Sequence, residues 1–502
     1  MHCRFSLSGF LVAAAVLLAF SAGCGSPQMP VDNPAITNKA LYDTASRFYV
    51  DFKTYPEDTD MRYLPIGIFD SGTGGLTVLE KLLSLDRFDN ITGAEGRDSI
   101  LDFAGEHFVY LADQANMPYG NYAAEDNTAY LQELVIKDAL FLLNDNYFTN
   151  GIEEEPSGRK PRAKIIVVAC NTATAYALDL IQSLLDQSGI SVKVIGVIGA
   201  GVRATLDELN LQGDEAPFAI GVLATPGTIA SGVYEHTLRE ALQQRGITTR
   251  IDIVSESGDG FAEAVDSDPD YVNPLLFAPS SNYRGPVLGD GDDDIHPELL
   301  KAYHFDFSDN QILARRNPGG GYAVLQLNSA ANYARFNIVS LLERHRRSGK
   351  GTPIRSIILG CTHYPFHLET LREMLDYLRE YREDGRYPYR DLIADTVTFI
   401  DPAVYTAIEC YQTLRADGNL AYRITPTQVN AYISIPSNLL EDSCLNGEGH
   451  LTHSFKYGRK PGTEELSTKP VPFSRDNIDQ NNLQRIQELL PYSYALIAPT
   501  LK

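Results

Sequence analysis

The stretch Ile165-Ile166-Val167-Val168-Ala169-Cys170-Asn171-Thr172 decides the fold: an unbroken β-branched run ends in a cysteine and passes at once into polar residues that suit a helix start. Such a run reads as a strand covered on both faces, the kind found in parallel sheets. A second stretch repeats the arrangement, Ile357-Ile358-Leu359-Gly360-Cys361-Thr362-His363-Tyr364-Pro365. In open α/β sheets ligands sit beyond the carboxyl ends of strands, and a thiol at the following helix N-terminus is drawn toward thiolate. Both cysteines are therefore placed to act chemically, and two thiols in equivalent settings suggest two facing bases.

Outward from these stretches, strand and helix patterns alternate. Leu64-Pro65-Ile66-Gly67-Ile68-Phe69 reads as a strand, Asp70-Ser71-Gly72-Thr73-Gly74-Gly75 as a turn, and Leu76, Leu79, Leu82 and Leu83 fall at helical spacing. Phe108 to Ala112 reads as a strand, residues 126–143 as a long helix and 192–198 as a short strand. A second cycle starts with the strand Phe218-Ala219-Ile220-Gly221-Val222-Leu223, continues into a helix over 229–244 and reaches the Cys361 strand much later. The expected fold is α/β, two pseudo-symmetric doubly wound lobes with mostly parallel sheets and the active site between them. The first lobe spans 64–215 and the second 216–395. Residues 396–415 return to the first lobe through a helix over 401–414, and 416–502 form a C-terminal extension without an assignable role. Within the second lobe, 268–316 is rich in Pro, Asn, Gly and Asp and reads as an inserted loop rather than sheet. Its acidic run Gly289-Asp290-Gly291-Asp292-Asp293-Asp294 lacks the closing Glu of a calcium loop, so no metal is expected.

The chain has 502 residues, 44% of them apolar, and a formal charge of −23. That length suits several domains with a sizeable core, and that charge argues against a nucleic-acid surface, which needs clustered Lys and Arg. A small soluble substrate fits better. Residues 1–24 read as an export signal, with His2 and Arg4 before an apolar stretch from Phe10 to Phe20 that is too short to span a bilayer. It ends in Ser21-Ala22-Gly23-Cys24, which resembles a bacterial lipobox although Ser21 stands where Leu is more usual. Lipidation at Cys24 would make the protein an exported, membrane-anchored lipoprotein of a bacterial envelope, facing the periplasm or the surface; the other reading is a plain secretory signal. Residues 25–63 look like a polar tether. The mature cysteines Cys170, Cys361, Cys410 and Cys444 are too few for a disulfide scaffold. A bridge between Cys170 and Cys361 would need their Cα atoms within about 7 Å.

Several ordered motifs carry a resemblance. Gly67-Ile68-Phe69-Asp70-Ser71-Gly72-Thr73-Gly74-Gly75-Leu76-Thr77-Val78-Leu79, Pro118-Tyr119-Gly120, Ala169-Cys170-Asn171-Thr172-Ala173 and Leu359-Gly360-Cys361-Thr362-His363-Tyr364-Pro365 resemble the cofactor-independent glutamate racemases of the aspartate/glutamate racemase superfamily. Val194 to Ile198, Gly227 to Tyr234 and, more weakly, Phe399 to Ala403 support it. The resemblance implies that Asp70 assists Cys170 and His363 assists Cys361, and that Asp70, Ser71, Asn171, Thr172, Thr362, His363 and the backbone at Tyr119-Gly120 meet the substrate, with Thr225 and Thr228 behind them. It implies no pyridoxal phosphate, since two thiols replace the Schiff-base route. The chain departs from the family pattern at Gly199-Ala200, Asn121-Tyr122 and Pro226, which bears on substrate identity. Asp266 matches the auxiliary acidic residue of the second lobe only loosely and is left out of the catalytic set.

The chemistry agrees with that resemblance. Racemisation removes the Cα proton from one face and returns one to the other, which takes an acid/base group on each side. A thiol with an ordinary pKa near 8.5 serves in either protonation state once its neighbours tune it. Each residue also has a plainer role: Asp70 as a turn or cap, His363 as a hydrogen-bonded strand-end histidine, Ser71, Asn171, Thr172 and Thr362 as caps, the cysteines as inert or bridged. The expected activity is interconversion of L- and D-glutamate, linked to D-glutamate for peptidoglycan, with aspartate as the alternative substrate. A non-catalytic lipoprotein binding acidic amino acids or wall fragments is the reading from another class. Hydrolysis through Cys361 and His363 leaves Cys170 unexplained. The sequence leaves the oligomeric state open, a homodimer being one option.

Overall fold

The computed structural model describes residues 34–56, 61–211, 216–421, 426–463 and 466–501. The export signal with Cys24 lies outside the described residues. Two sheets organise the rest. The first holds β1 (Ile66–Asp70), β2 (His107–Ala112), β3 (Ile165–Val168), β4 (Lys193–Gly196), β9 (Gln428–Pro436) and β10 (Thr468–Pro472) in the order β10-β9-β2-β1-β3-β4. Only the β9–β10 pair in it is antiparallel. The second holds β5 (Phe218–Ala224), β6 (Ile251–Ser257), β7 (Ile354–Gly360) and β8 (Ile393–Ile400) in the order β8-β7-β5-β6, all parallel.

The continuous apolar runs form the central strands because helices cover both sheet faces. Ile66, Ile68 and Val167 point into one apolar cluster with Leu79 and Leu82, while Phe69, Ile166 and Val168 point into the opposite one with Leu131 and Ala177. In each lobe the chain leaves the founding strand to one side and returns on its other side, β1 to β2 then β3, and β5 to β6 then β7. The carboxyl ends on either side of that reversal form a crevice, the preferred ligand position of such sheets. Asp70 and Cys170 stand at the crevice of the first lobe, Thr225 and Cys361 at that of the second.

Several expectations are corrected. Residues 192–198 are not one strand: β4 stops at Gly196 and a helix Val197–Leu209 follows, whose Ile198, Val202 and Leu206 recur at helical spacing and pack in the second lobe's core. The long helix begins at Thr128, after Asp126 takes a left-handed φ of 54°. The helix expected over 229–244 is two, Pro226–Ala230 and Val233–Gln244, parted by Gly232 at φ 65°. The insertion ends in a strand, since Ile312–Arg316 pairs antiparallel with Tyr322–Leu327.

The described part of the expected tether is not a free linker. A helix Ala35–Tyr42 and the residues after it bury Ile36, Ala40, Val50, Phe52 and Tyr55 against the first lobe. Nor does the C-terminal extension stand apart. β9 adds to the edge of β2, β10 adds to β9, and the helices Gln480–Leu489 and Pro491–Ile497 pack on the first lobe. An unpaired β2 edge would leave a row of open N–H and C=O groups, so this tail covers that edge and makes β10 the outermost strand.

Candidate active site

The two crevices face each other across a cavity of about 20 Å³. Asp70, Ser71, Tyr119, Gly120, Cys170, Asn171, Thr172, Cys361, Thr362 and His363 all line it, joined by Met117, Pro118, Thr225 and Ala262. As closed, it has room for little more than a water. Larger cavities, of about 350 Å³ beside Asp113 and Asp138 and about 390 Å³ beside Pro491, are not lined by either of these thiols.

Cys170 caps the helix Asn171–Ser188: its Sγ accepts from the Ala173 N–H at 3.4 Å and lies 3.7 Å from the Ser71 hydroxyl. Contrary to the thiolate expected at a helix N-terminus, burial, with the nearby Asp70 charge adding to it, pushes this thiol far up and keeps it protonated, against the pull of the Ala173 N–H and Ser71. Asp70 is itself raised by burial, with Asp266 adding, while His363 and the Gly75 and Ser71 N–H groups oppose. Its Oδ2 accepts from Gly75 N–H at 2.7 Å and from Thr362 Oγ1 at 3.4 Å. Its Oδ1 has no hydrogen-bond partner among the described residues.

On the other side, Cys361 Sγ lies 3.5 Å from His363 Nδ1. His363 Nε2 stands 3.2 Å from Asp266 Oδ1, an ion pair rather than an aligned hydrogen bond. Burial alone would lower His363, but Asp266 and Cys361 outweigh it and hold the imidazole charged well above its usual value. For Asp266 too, burial is outweighed: His363 and Arg485 keep its carboxyl far below the ordinary carboxylate range. Asp266, omitted from the catalytic set at the sequence level, thus belongs to the site. It follows the short helix Phe261–Val265, and its signal was only the loose motif match.

The lobes are stitched together by polar groups. Thr172 Oγ1 lies 2.9 Å from Thr225 and 3.2 Å from Thr228, and Tyr234 donates to Asn171 Oδ1 at 2.6 Å. Gly227 and Gly120 approach so closely that a Cβ on Gly227 would stand 2.9 Å from Gly120 Cα. The Tyr119 ring turns away from the cavity, its hydroxyl 2.5 Å from Asp113 and 2.6 Å from Asp138, which leaves its backbone for the site. All four described cysteines are free, so Cys170 and Cys361 are not bridged.

Chemically, the arrangement sets two cysteine sulfurs, each a type of group able to take or give a proton, on the walls of one cavity, one a protonated thiol and the other in contact with an imidazolium. No protein-family model matches the chain. Among curated proteins it is similar to the glutamate racemase of Levilactobacillus brevis, 32% identical over 356 residues that cover 71% of this chain and 80% of that protein. It is also similar to the glutamate racemase of Oceanobacillus iheyensis, 33% identical over 175 residues covering 35% of this chain and 46% of that protein. In such shorter matches the chain spans about half the length of the curated relatives. Among solved structures, a glutamate racemase isoform from Bacillus anthracis aligns with a TM-score of 0.42 and 22% identity, covering 74% of this chain and 88% of that one.

Proposed function

The chain belongs to the glutamate racemase family, and on that premise we propose that it interconverts L- and D-glutamate by cofactor-independent proton transfer between Cys170 and Cys361. The observation that carries the reading is the placement of the two thiols at equivalent strand ends of the two lobes, lining one cavity. A substrate Cα held between them loses its proton to one sulfur as thiolate while the other, as thiol, delivers a proton to the opposite face. The sulfurs then hold each other's starting protonation states, which is what the reverse direction requires. His363, in contact with Cys361, exchanges a proton with that sulfur and is kept charged by Asp266.

Charge developing at Cα spreads into the substrate carboxylate, where Ser71, Asn171, Thr172, Thr362 and the Tyr119-Gly120 backbone offer donors. The unpaired Asp70 Oδ1 is the acceptor for the substrate ammonium; a buried orphan oxygen costs about 1–3 kcal/mol, which that contact relieves. Because the closed cavity is too small for an amino acid, the lobes separate to admit substrate. We infer further that residues 1–24 direct export with lipidation at Cys24, on the strength of the lipobox-like Ser21-Ala22-Gly23-Cys24, and that the D-glutamate serves peptidoglycan.

The test incubates the signal-free protein with reductant in deuterated water, with L-glutamate and separately L-aspartate, following α-proton exchange by NMR and optical rotation. Exchange with loss of rotation on glutamate, abolished by Cys170→Ala and by Cys361→Ala, is the expected result. Exchange confined to aspartate reassigns the substrate, and affinity without exchange on either moves the chain to the binding proteins.

A further inference from the structure

The C-terminal extension sends one side chain into the machinery just described. Arg485 sits on the helix Gln480–Leu489, which Asp479 caps by accepting from the Asn481 and Asn482 N–H groups. The extension is held to the first lobe: β9 and β10 extend its sheet, and the Glu80 carboxylate accepts from the Tyr492 and Ser493 N–H groups at 3.1 and 2.7 Å. Yet the Arg485 guanidinium reaches the second lobe. Its Nη2 donates to Asp266 Oδ1 at 2.8 Å, its Nη1 donates to the Val265 carbonyl, and its plane lies 4.7 Å from the Phe366 ring centre. With 14% of its side chain exposed, it is a largely desolvated ion pair with an almost fully buried carboxylate. The same oxygen, Asp266 Oδ1, faces His363.

We propose that Arg485 is a positioning residue of the Cys361 half-site: held by the first lobe, it clamps Asp266 of the second and thereby fixes His363 against Cys361 whenever the lobes are closed. A planar fork is suited to this task, because it engages a carboxylate and a neighbouring carbonyl at once, which an ammonium does less well. Lobe opening separates guanidinium from carboxylate, so the half-site is complete only in the closed state. The role rests on the racemase reading for its consequence in catalysis, but its geometry does not depend on the substrate. Other charged or titratable groups bear on the same imidazole: Asp266 after the helix Phe261–Val265, Glu263 within it, Asp70 from β1, and Cys361 from its own turn. His367, one turn on, is held at about 4 by burial and by Arg485, and so stays neutral.

The test compares wild type, R485Q and R485K in the signal-free protein by nitrogen-15 NMR titration of the His363 ring, by the melting temperature, and by the pH profile of kcat/KM for glutamate racemisation. R485Q is expected to lower the His363 midpoint and to cut kcat/KM at least tenfold, with R485K falling between it and wild type. Since enantiomers have equal free energy, kcat/KM falls alike in both directions, and any asymmetry appears in kcat and KM separately. An unchanged or raised His363 midpoint in folded R485Q overturns the proposal, because loss of the guanidinium charge alone would raise it, even where the melting temperature or the rate has dropped. If R485Q does not fold, R485K decides alone: a midpoint below wild type supports the clamp, and an identical or higher one overturns it. A wild-type protein that exchanges no α-proton refutes the racemase reading, while the titration still tests the clamp.

Discussion

Asp266 and His363 titrate against each other, and the sign of each shift sets a window in pH. His363 is raised, so the stability it contributes is present below its ordinary value of about 6.5 and is lost as pH climbs through its higher folded value. Asp266 is depressed, so its contribution is present above the ordinary carboxylate value of about 3.9 and is lost as pH falls through its lower folded value. Both are present together between about pH 4 and 6.5, and calorimetry across pH should find the melting-temperature gap between wild type and H363N widest there, narrowing in alkali. For catalysis, replacing either thiol with Ala should cost at least about 10²–10⁴-fold in kcat, the usual contribution of a general acid or base. D266N should leave both thiols in place and lower kcat/KM about 10-fold to 100-fold, with the pH profile moved because the imidazole loses its counter-charge. Steady-state rates on each variant check these values. Cys170, Cys361, Asp70 and His363 were legible because each follows a strand-like run inside an ordered motif. Asp266 showed only a loose motif match, and its place beside His363 comes from spatial proximity.

Elements bring these side chains together through backbone approach as well as side-chain contact. Gly74, in the turn after β1, sits under His363: an added Cβ would stand 2.6 Å from the ring's Cε1 and 2.7 Å from Thr362 Oγ1. G74A should therefore push His363 out of line and lower kcat/KM about 100-fold, the scale of a displacement near 1 Å, as measured by glutamate exchange. Strands were the most legible elements, since β1, β3, β5 and β7 are apolar runs buried on both faces. Element ends were less so. Val197-Ile198 reads locally as a continuation of β4, and only the packing of Ile198, Val202 and Leu206 against β5 and its neighbours reveals a helix start. The break at Gly232 likewise depends on a left-handed φ of 65°, which glycine adopts without strain.

At the scale of the molecule, segments far apart in sequence converge on the first lobe. The Lys164 ammonium, fully buried just before β3, pairs with Glu106 at 2.7 Å and donates to the carbonyls of Arg62 and Asn419. The same Glu106 accepts from the Ala421 N–H at 2.7 Å, so one ion pair ties the entry to β1, the start of β2 and the approach to β9. Glu106→Gln should destabilise the fold by about 3–5 kcal/mol, because it leaves the lysine charge buried without its counter-ion; thermal or denaturant unfolding measures it. From its residues alone the chain determined two doubly wound lobes, the thiol pair and the turn that holds Asp70, because buried parallel strands need long apolar runs and their ends need polar, helix-capping residues. Only the tertiary structure decided that Asp266 stands between His363 and Arg485 and that residues 34–56 and the tail pack on the first lobe. Those outcomes rest on burial and ion pairing between residues distant in sequence, whose energies depend on spatial distance and desolvation rather than on local pattern.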